Sequence, residues 1–418
     1  MNRGSSNFLT GFPSPEKMNE AIKGLLFPAY REVNAHIHTP FSFSAFSDMD
    51  IIFAMACEEN IRVLGINDFY VADGYGEFYE GCLKNGIFPL FNIEFIGLIK
   101  NYQKKGIRIN DPNNPGRIYF CGKGLDYPFH LDTGNVHKLN GVKEKTQEQL
   151  REMVGKLNAL ISRSHPSLRL DFEEIKKRFV RGLVRERHLA KALRILAEEN
   201  FSSAEDQIGF IESLYGGSKS RYDMSRPAAL ENEIRANLLK AGGAAFVAEN
   251  EDSFLAPEEI IKIIHNAGGI PCYPVLLDDN SGNFTGFEKD FPKLHDALAE
   301  LGTTCIELIP GRNDHDILRK FVEFFYEKGF VITFGTEHNT PELEPLKVRA
   351  RGKKELDDEL KEISWKGACV IAAHQYLRAR GQAGYEVKNM PVKKQRDELE
   401  KLGQIVIEYY LNQYVNEN

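Results

Sequence analysis

Residues 31–39 read Arg-Glu-Val-Asn-Ala-His-Ile-His-Thr, and the reading of the whole chain turns on them. The segment 33–38 has the composition of a strand. Residues i and i+2 of a strand point to the same side, so His36 and His38 can bring both imidazoles to one ion. In a barrel of parallel strands the C-terminal strand ends form the active-site face. A metal-binding pair at the end of a first strand is one reading. Two ordinary strand-end histidines is the other.

Outward from this segment, short apolar runs alternate with helical patterns, as in an α/β protein with parallel strands. Strands are expected at 33–38, 62–68, 88–95, 117–125, 269–276, 305–310 and 331–338. Ser47 and Asp50 suggest a capping box ahead of Ile51 and Met55, and Thr146 and Gln149 another ahead of Leu150, Met153, Val154, Leu157 and Ile161. Pro257 opens a further helix that Gly268 and Gly269 close. Seven strands, most followed by helices, point to a barrel rather than an open sheet. The expected division is a discontinuous barrel, 1–162 with 256–345, a helical insertion, 163–255, and a C-terminal helical extension, 346–418. The tail sequence GQIVIEYYLNQYV (403–415) is apolar enough to pack on the barrel or to form a dimer contact.

Bulk properties exclude several classes. The 418 residues are 42% hydrophobic and 27% charged, which rules out wholesale disorder. With 60 acidic against 53 basic residues, the net charge of -7 argues against general nucleic-acid binding or a membrane-surface role. The six cysteines are scattered without a C-x-x-C pair, so neither a disulfide framework nor a cysteine zinc site is indicated. No signal-peptide core and no membrane-spanning run is found, and the expectation is a soluble, cytoplasmic protein with no membrane partner.

Other strand ends carry groups of the same kind. Glu94 closes the apolar run FPLFNIEF, where an isolated buried carboxylate is costly and a metal is one partner that removes the cost. Asp68 in GINDFY and Glu307 in CIELIP are similar. Glu337 and His338 follow the strand VITFG, and because adjacent strand residues face opposite sides, at most one points inward unless the strand has ended. Four strand ends with His or Glu favour metal binding together more than any does alone. The helical stretch from Lys176 to Arg194 is locally basic; it reads either as a solvated face or as a phosphate-holding lid over the barrel mouth. There is no G-x-S-x-G or H-E-x-x-H, and GRIYFCGKG (116–124) misses a P-loop by one spacing residue and the Ser/Thr after Lys123.

In order along the chain, these motifs resemble the PHP (polymerase and histidinol phosphatase) superfamily, specifically its phosphoesterases with an inserted helical domain. The likeness runs from Val33 to Pro341. NAHIHT is similar to the family's opening His-x-His, GINDFYVADGYGEF to the segment that carries Thr-Asp-His-Asp, and FPLFNIEF to the strand with the metal-bridging Glu. IYFCGKGLD resembles the Ile-His strand and GLVRERHLAKAL the Arg-Pro-His-Ile-Ala helix start. AFVAENEDSFLAPEEIIKIIHNAGGIPCYPV follows the return to the barrel, and FGTEHN stands in place of the closing Gly-Ser-Asp-x-His. The resemblance implies a distorted (β/α)7 barrel with two or three metal ions at its mouth.

The departures shape the functional expectation. Phe69 and Tyr70, Tyr119, Tyr273 and Asn339 occupy family ligand positions. Phe cannot ligate and neutral Tyr is a poor substitute for imidazole. The resemblance leaves His36, His38, Glu94, Glu337 and, one residue out of place, His338 as metal ligands, with His188, Arg185 and Arg187 on the substrate. It implies a divalent metal (Zn, Mn or Fe), fewer ions than usual or none, in a phosphoric ester hydrolase acting on a phosphorylated small molecule or nucleotide. The alternatives are an inactive PHP-derived barrel that binds a ligand or protein, and a carbohydrate enzyme that uses one metal differently.

Overall fold

The computed structural model describes residues 7–279, 281–386 and 392–417. Seven strands form one sheet in chain order: β1 (Glu32–Ile37), β2 (Ile61–Phe69), β3 (Phe88–Leu98), β4 (Arg117–Lys123), β5 (Ile270–Val275), β6 (Cys305–Leu308) and β7 (Val331–Phe334). Beyond β7 the backbone bonds back to β1. The His38 amide donates to the Glu337 carbonyl at 2.6 Å, and the Thr336 and Glu337 amides donate to the His36 carbonyl. The sheet thereby nearly closes into a barrel.

One strand runs against expectation. β4 is antiparallel to both β3 and β5, whereas every other pairing is parallel. A parallel neighbour needs a crossover packed across the sheet. The segment 99–116 carries only the short helix Lys100–Lys104, and its ends are tied by the Ile99 amide donating to the Gly116 carbonyl at 2.8 Å. The chain therefore returns at the same end of the sheet. The 29-residue helix Thr133–Ile161, about 43 Å long, then carries it back along the barrel towards the mouth.

Helix starts differ in detail from the sequence reading. Asp48 caps Met49–Glu58 by accepting from the Ile51 amide, in place of a Ser47/Asp50 box. Thr146 lies inside Thr133–Ile161, which begins at Asp132, and its hydroxyl donates to the Val142 carbonyl. The apolar period was visible there, but it continues unbroken on both sides of Thr146. Pro257–Asn266 opens and closes as expected.

Helices between 133 and 239 enclose an apolar core of their own, with Leu150, Met153, Leu157, Leu189, Leu193, Phe210 and Ile234 fully or almost fully buried. At the other end of the barrel, Val370 and Ala373 of the helix Asp358–Ala379 pack against Cys272, Cys305 and Val331, which stand at the starts of β5, β6 and β7. Gln375 bonds the Phe91 amide and the Pro89 carbonyl there. Val406, Ile407 and Tyr410 of the tail pack on Trp365 and Ala368 of that helix, so this apolar face is used within the chain. Among the described residues no helix is long and apolar enough to cross a membrane.

The barrel interior is polar where most barrels stack branched apolar side chains. His36, Asn67, Asn92, Lys123, Glu307 and Thr333 are all essentially inaccessible.

Candidate metal centre

Strand alternation puts His36 and His38 on the inner side of β1, and Gly335 makes room for them. A Cβ on Gly335 would lie 2.3 Å from the His36 Cβ. The neighbouring strands set the tautomers. Glu307 Oε2 lies 2.6 Å from His36 Nδ1, and because a carboxylate only accepts, Nδ1 carries the proton. Burial favours the neutral form of Glu307, but Lys123 and His36 prevail and hold its carboxyl down to about 2. His38 Nδ1 lies 3.1 Å from Ser42 Oγ, whose hydroxyl donates to Asp68 Oδ1 at 2.6 Å, so Ser42 accepts from Nδ1–H. Asp68 also accepts from the Thr39 amide and hydroxyl, which fixes the loop after β1.

Both Nε2 atoms therefore present lone pairs to the same point. They are 3.3 Å apart, and Glu94 Oε2 completes a triangle at 3.0 Å from His38 and 3.7 Å from His36. Ligands at about 2.0–2.2 Å from one ion lie roughly 3.0–3.5 Å from each other, so the spacing fits. Glu94 Oε2 is buried and has no hydrogen-bond partner. Three acceptors converge here, with the Asn67 amide nitrogen 3.0 Å from His36 Nε2 and no hydrogen-bond donor to Glu94 Oε2, and a cation between them satisfies all three. Failing a metal, a proton serves: burial, reinforced by Glu337 and Glu307, pushes the Glu94 carboxyl up to about 8, and burial pushes His38 down to about 4.

A cavity of about 400 Å³ opens over the triangle, lined by His36, Glu94, Arg117, Tyr119, Arg312 and Glu337 among others. It shares Arg117, Tyr119, Arg235 and Lys240 with a second hollow that Arg185 and Arg187 line. Arg235 and Lys240 pair with Glu186, Arg117 with Glu249, and Arg312 with Glu337. Arg185 and Arg187 enter no ion pair among the described residues. Arg185 lies 4.5 Å over the Phe69 ring, whose stacking partner is His38 at 4.7 Å. Burial and the neighbouring Arg235 push Arg187 down to about 10 against the opposing pull of Glu342, Glu186 and Glu337, and its guanidinium donates to Asn232 Oδ1 at 2.6 Å.

The other sequence candidates lie elsewhere. The Glu337 carboxylate lines the mouth cavity but is taken up by Arg312 and Asn339, outside the triangle. His338 has both ring nitrogens engaged: Nδ1 with the Thr336 hydroxyl at 2.8 Å and Nε2 with the Glu344 carbonyl at 2.7 Å. It stacks on Phe46 instead of joining the cluster. Both residues have left-handed backbone, with φ of 62° and 58°, because the strand has ended at Phe334. His188 has one ring nitrogen engaged. Its Nδ1 accepts from the Arg185 amide at 2.9 Å, so it caps its own helix, and it lines a separate crevice with Lys177 and Lys191.

Residues the sequence reading passed over complete the site. Lys123, noted only for the P-loop it fails to make, is fully buried and ion-paired to Glu307. Asn67 packs its amide against the His36 ring. The one available signal was a lysine at the end of an apolar strand.

No protein-family model matches this chain, and no curated protein matches it. Solved structures do. A protein from Bifidobacterium adolescentis, provisionally named a metal-dependent phosphoesterase, superposes with a TM-score of 0.53 over 80% of this chain and 95% of its own, at 15% identity. The likeness is one of fold, a nearly closed seven-strand barrel. An amidohydrolase from Chromobacterium violaceum, solved with sulfate and without metal, gives a TM-score of 0.48 over 80% of this chain and 96% of its own, also at 15% identity. In the barrel of this chain, Phe69 and Tyr119 stand beside the triangle without donor atoms suited to a metal, and among the described residues His36, His38 and Glu94 are one group whose atoms could hold an ion and His36, Cys121 and Glu307 another.

Proposed function

We propose that the protein is a metal-dependent hydrolase that cleaves phosphoric esters of a small molecule or nucleotide. One observation carries the reading: the buried, unpartnered Glu94 Oε2 facing two histidine lone pairs beneath a cavity lined by basic and acidic side chains alike. His36, His38 and Glu94 hold one divalent ion, which supplies Lewis-acid polarisation of the phosphoryl group. Glu307 and Ser42 keep both imidazoles in the ligating tautomer. Arg185 and Arg187, the cations without carboxylate partners, bind the phosphate bidentately. His188 acts on Arg185 through the helix cap. Phe69, between Arg185 and His38, holds the phosphate-binding and metal-binding groups in one stack. In this reading the helices of 163–255 form an insertion that carries both arginines over the mouth of a barrel built from 1–162 and 256–345.

Metal analysis after supplementation with Zn, Mn or Fe tests the first step. Bound ion that raises the melting temperature is expected. A chain that takes up none is the inactive barrel of the alternative reading. A screen of phosphate esters with wild type and His38→Ala tests the second: turnover by wild type, lost in the variant, is expected, and no turnover on any ester sinks the hydrolase.

A further inference from the structure

Beneath the triangle a second cluster of ligand atoms surrounds the Lys123 ammonium. Nζ meets a Glu307 carboxylate oxygen, the Asn67 amide oxygen at 3.4 Å and the Ala35 carbonyl at 3.4 Å. Cys121 Sγ stands 3.7 Å from Glu307, and His36, Cys121 and Glu307 offer ligand atoms all within 4.8 Å of one another. Oxygen atoms arranged in this way, with a thiol and an imidazole at the edge, make a cation site.

We propose that the Lys123 ammonium is the resident occupant of a second cation site, and that its presence restricts the centre to one divalent ion. The inference rests on the metal reading of His36, His38 and Glu94. Charge supports it. Glu307 is balanced by Lys123 and Glu337 by Arg312, while Glu94 and Asp68, the latter held by Thr39 and Ser42, have no lysine or arginine partner among the described residues. A single divalent ion already balances these two, and a second finds no further anion among them. Energetics point the same way. A fully buried ion pair gains little over apolar packing, so its place in the barrel centre asks for a role. Lys123 pairs with Glu307, Glu307 accepts from His36 Nδ1–H, and His36 Nε2, with the Asn67 amide beside it, faces the ion above. Lys123 is thus a positioning residue that acts through His36.

The test compares wild type with Lys123→Ala, which removes the ammonium and leaves its space. Both are dialysed against Mn or Zn, ions per folded chain are counted by elemental analysis, and melting is followed with and without metal. The expected result is one ion in wild type and two in the variant, with a larger metal-induced rise in melting temperature for the variant. Two ions in wild type, or one in the variant with no added stabilisation, overturns the proposal. No ion in either protein removes the metal reading and this inference with it. None in wild type but one in the variant upholds the occupancy by Lys123 and removes the hydrolase reading. Should Lys123→Ala not fold, Lys123→Gln loses the charge with little change in length; a second ion in it supports the proposal and a single ion overturns it.

Discussion

Two buried charged clusters sit one above the other in this barrel and share His36. In the lower one, Glu307 is paired with Lys123, bonded to His36 and approached by Thr333, so its charge is met within the chain. In the upper one, Glu94 Oε2 and two imidazole nitrogens converge, the Asn67 amide reaches His36 Nε2, and no donor reaches Glu94 Oε2. The same polar interior thus meets one charge internally and leaves another open. An unmet buried charge is costly to keep, and the open cluster is the one that faces the cavity. That contrast marks where a ligand belongs.

Breaking the internal pair has the largest expected effect. Lys123→Met strands the Glu307 carboxylate and costs about 3–5 kcal/mol, read from urea unfolding in the presence of a chelator. Glu94→Gln removes the one anionic ligand of the upper cluster. Metal affinity falls by at least about 100-fold, more than outer-sphere changes give, as titration calorimetry would show. The metal-free variant remains at least as stable as wild type, because the amide can donate to His38. An Arg187→Ala change removes a charge-assisted contact worth about 1.5–3 kcal/mol. It raises KM for a phosphate ester by roughly 10–100-fold while kcat changes less. An unchanged KM would remove Arg187 from the phosphate site.

The pH dependence sharpens the contrast without a mutation. Glu94 has its folded value raised to about 8, so its contribution to stability is complete below the ordinary carboxylate range and is lost as pH rises through 8. His38, lowered to about 4, contributes fully above about 6.5, its ordinary value. Between those limits the metal-free protein loses melting temperature as pH rises from 6.5 past 8. Added divalent metal takes over the role of the proton and flattens the curve; parallel curves with and without metal would count against the triangle. The smallest effect belongs to a site remote from both clusters: Asp48→Ala loses a helix cap for about 1 kcal/mol and leaves metal binding unchanged.

Much of the architecture was legible because strand signals are local. All seven strands lie close to their expected positions, since each is an apolar run bounded by turns. His36 and His38 were legible for the same reason, two residues apart on one strand. The direction of β4 was not, because hydrophobic pattern carries no sense of direction; the path of 99–116 decides it. The Asp48 cap was missed by one residue, within the usual uncertainty of helix ends. Glu337 and His338 adopt left-handed backbone with no glycine to announce it, so their facing could not be read.

The sequence by itself determined the α/β barrel class, the inward histidine pair and the presence of a carboxylate near them. Period-two alternation and strand propensity act over a few residues, and these properties depend on nothing further away. Only the tertiary structure decided which groups are free. Lys123 and Glu307 are 184 residues apart in the chain, as His36 and Glu307 are 271 apart. Whether a buried carboxylate is already paired or still open depends on such distant partners, and no local pattern records them.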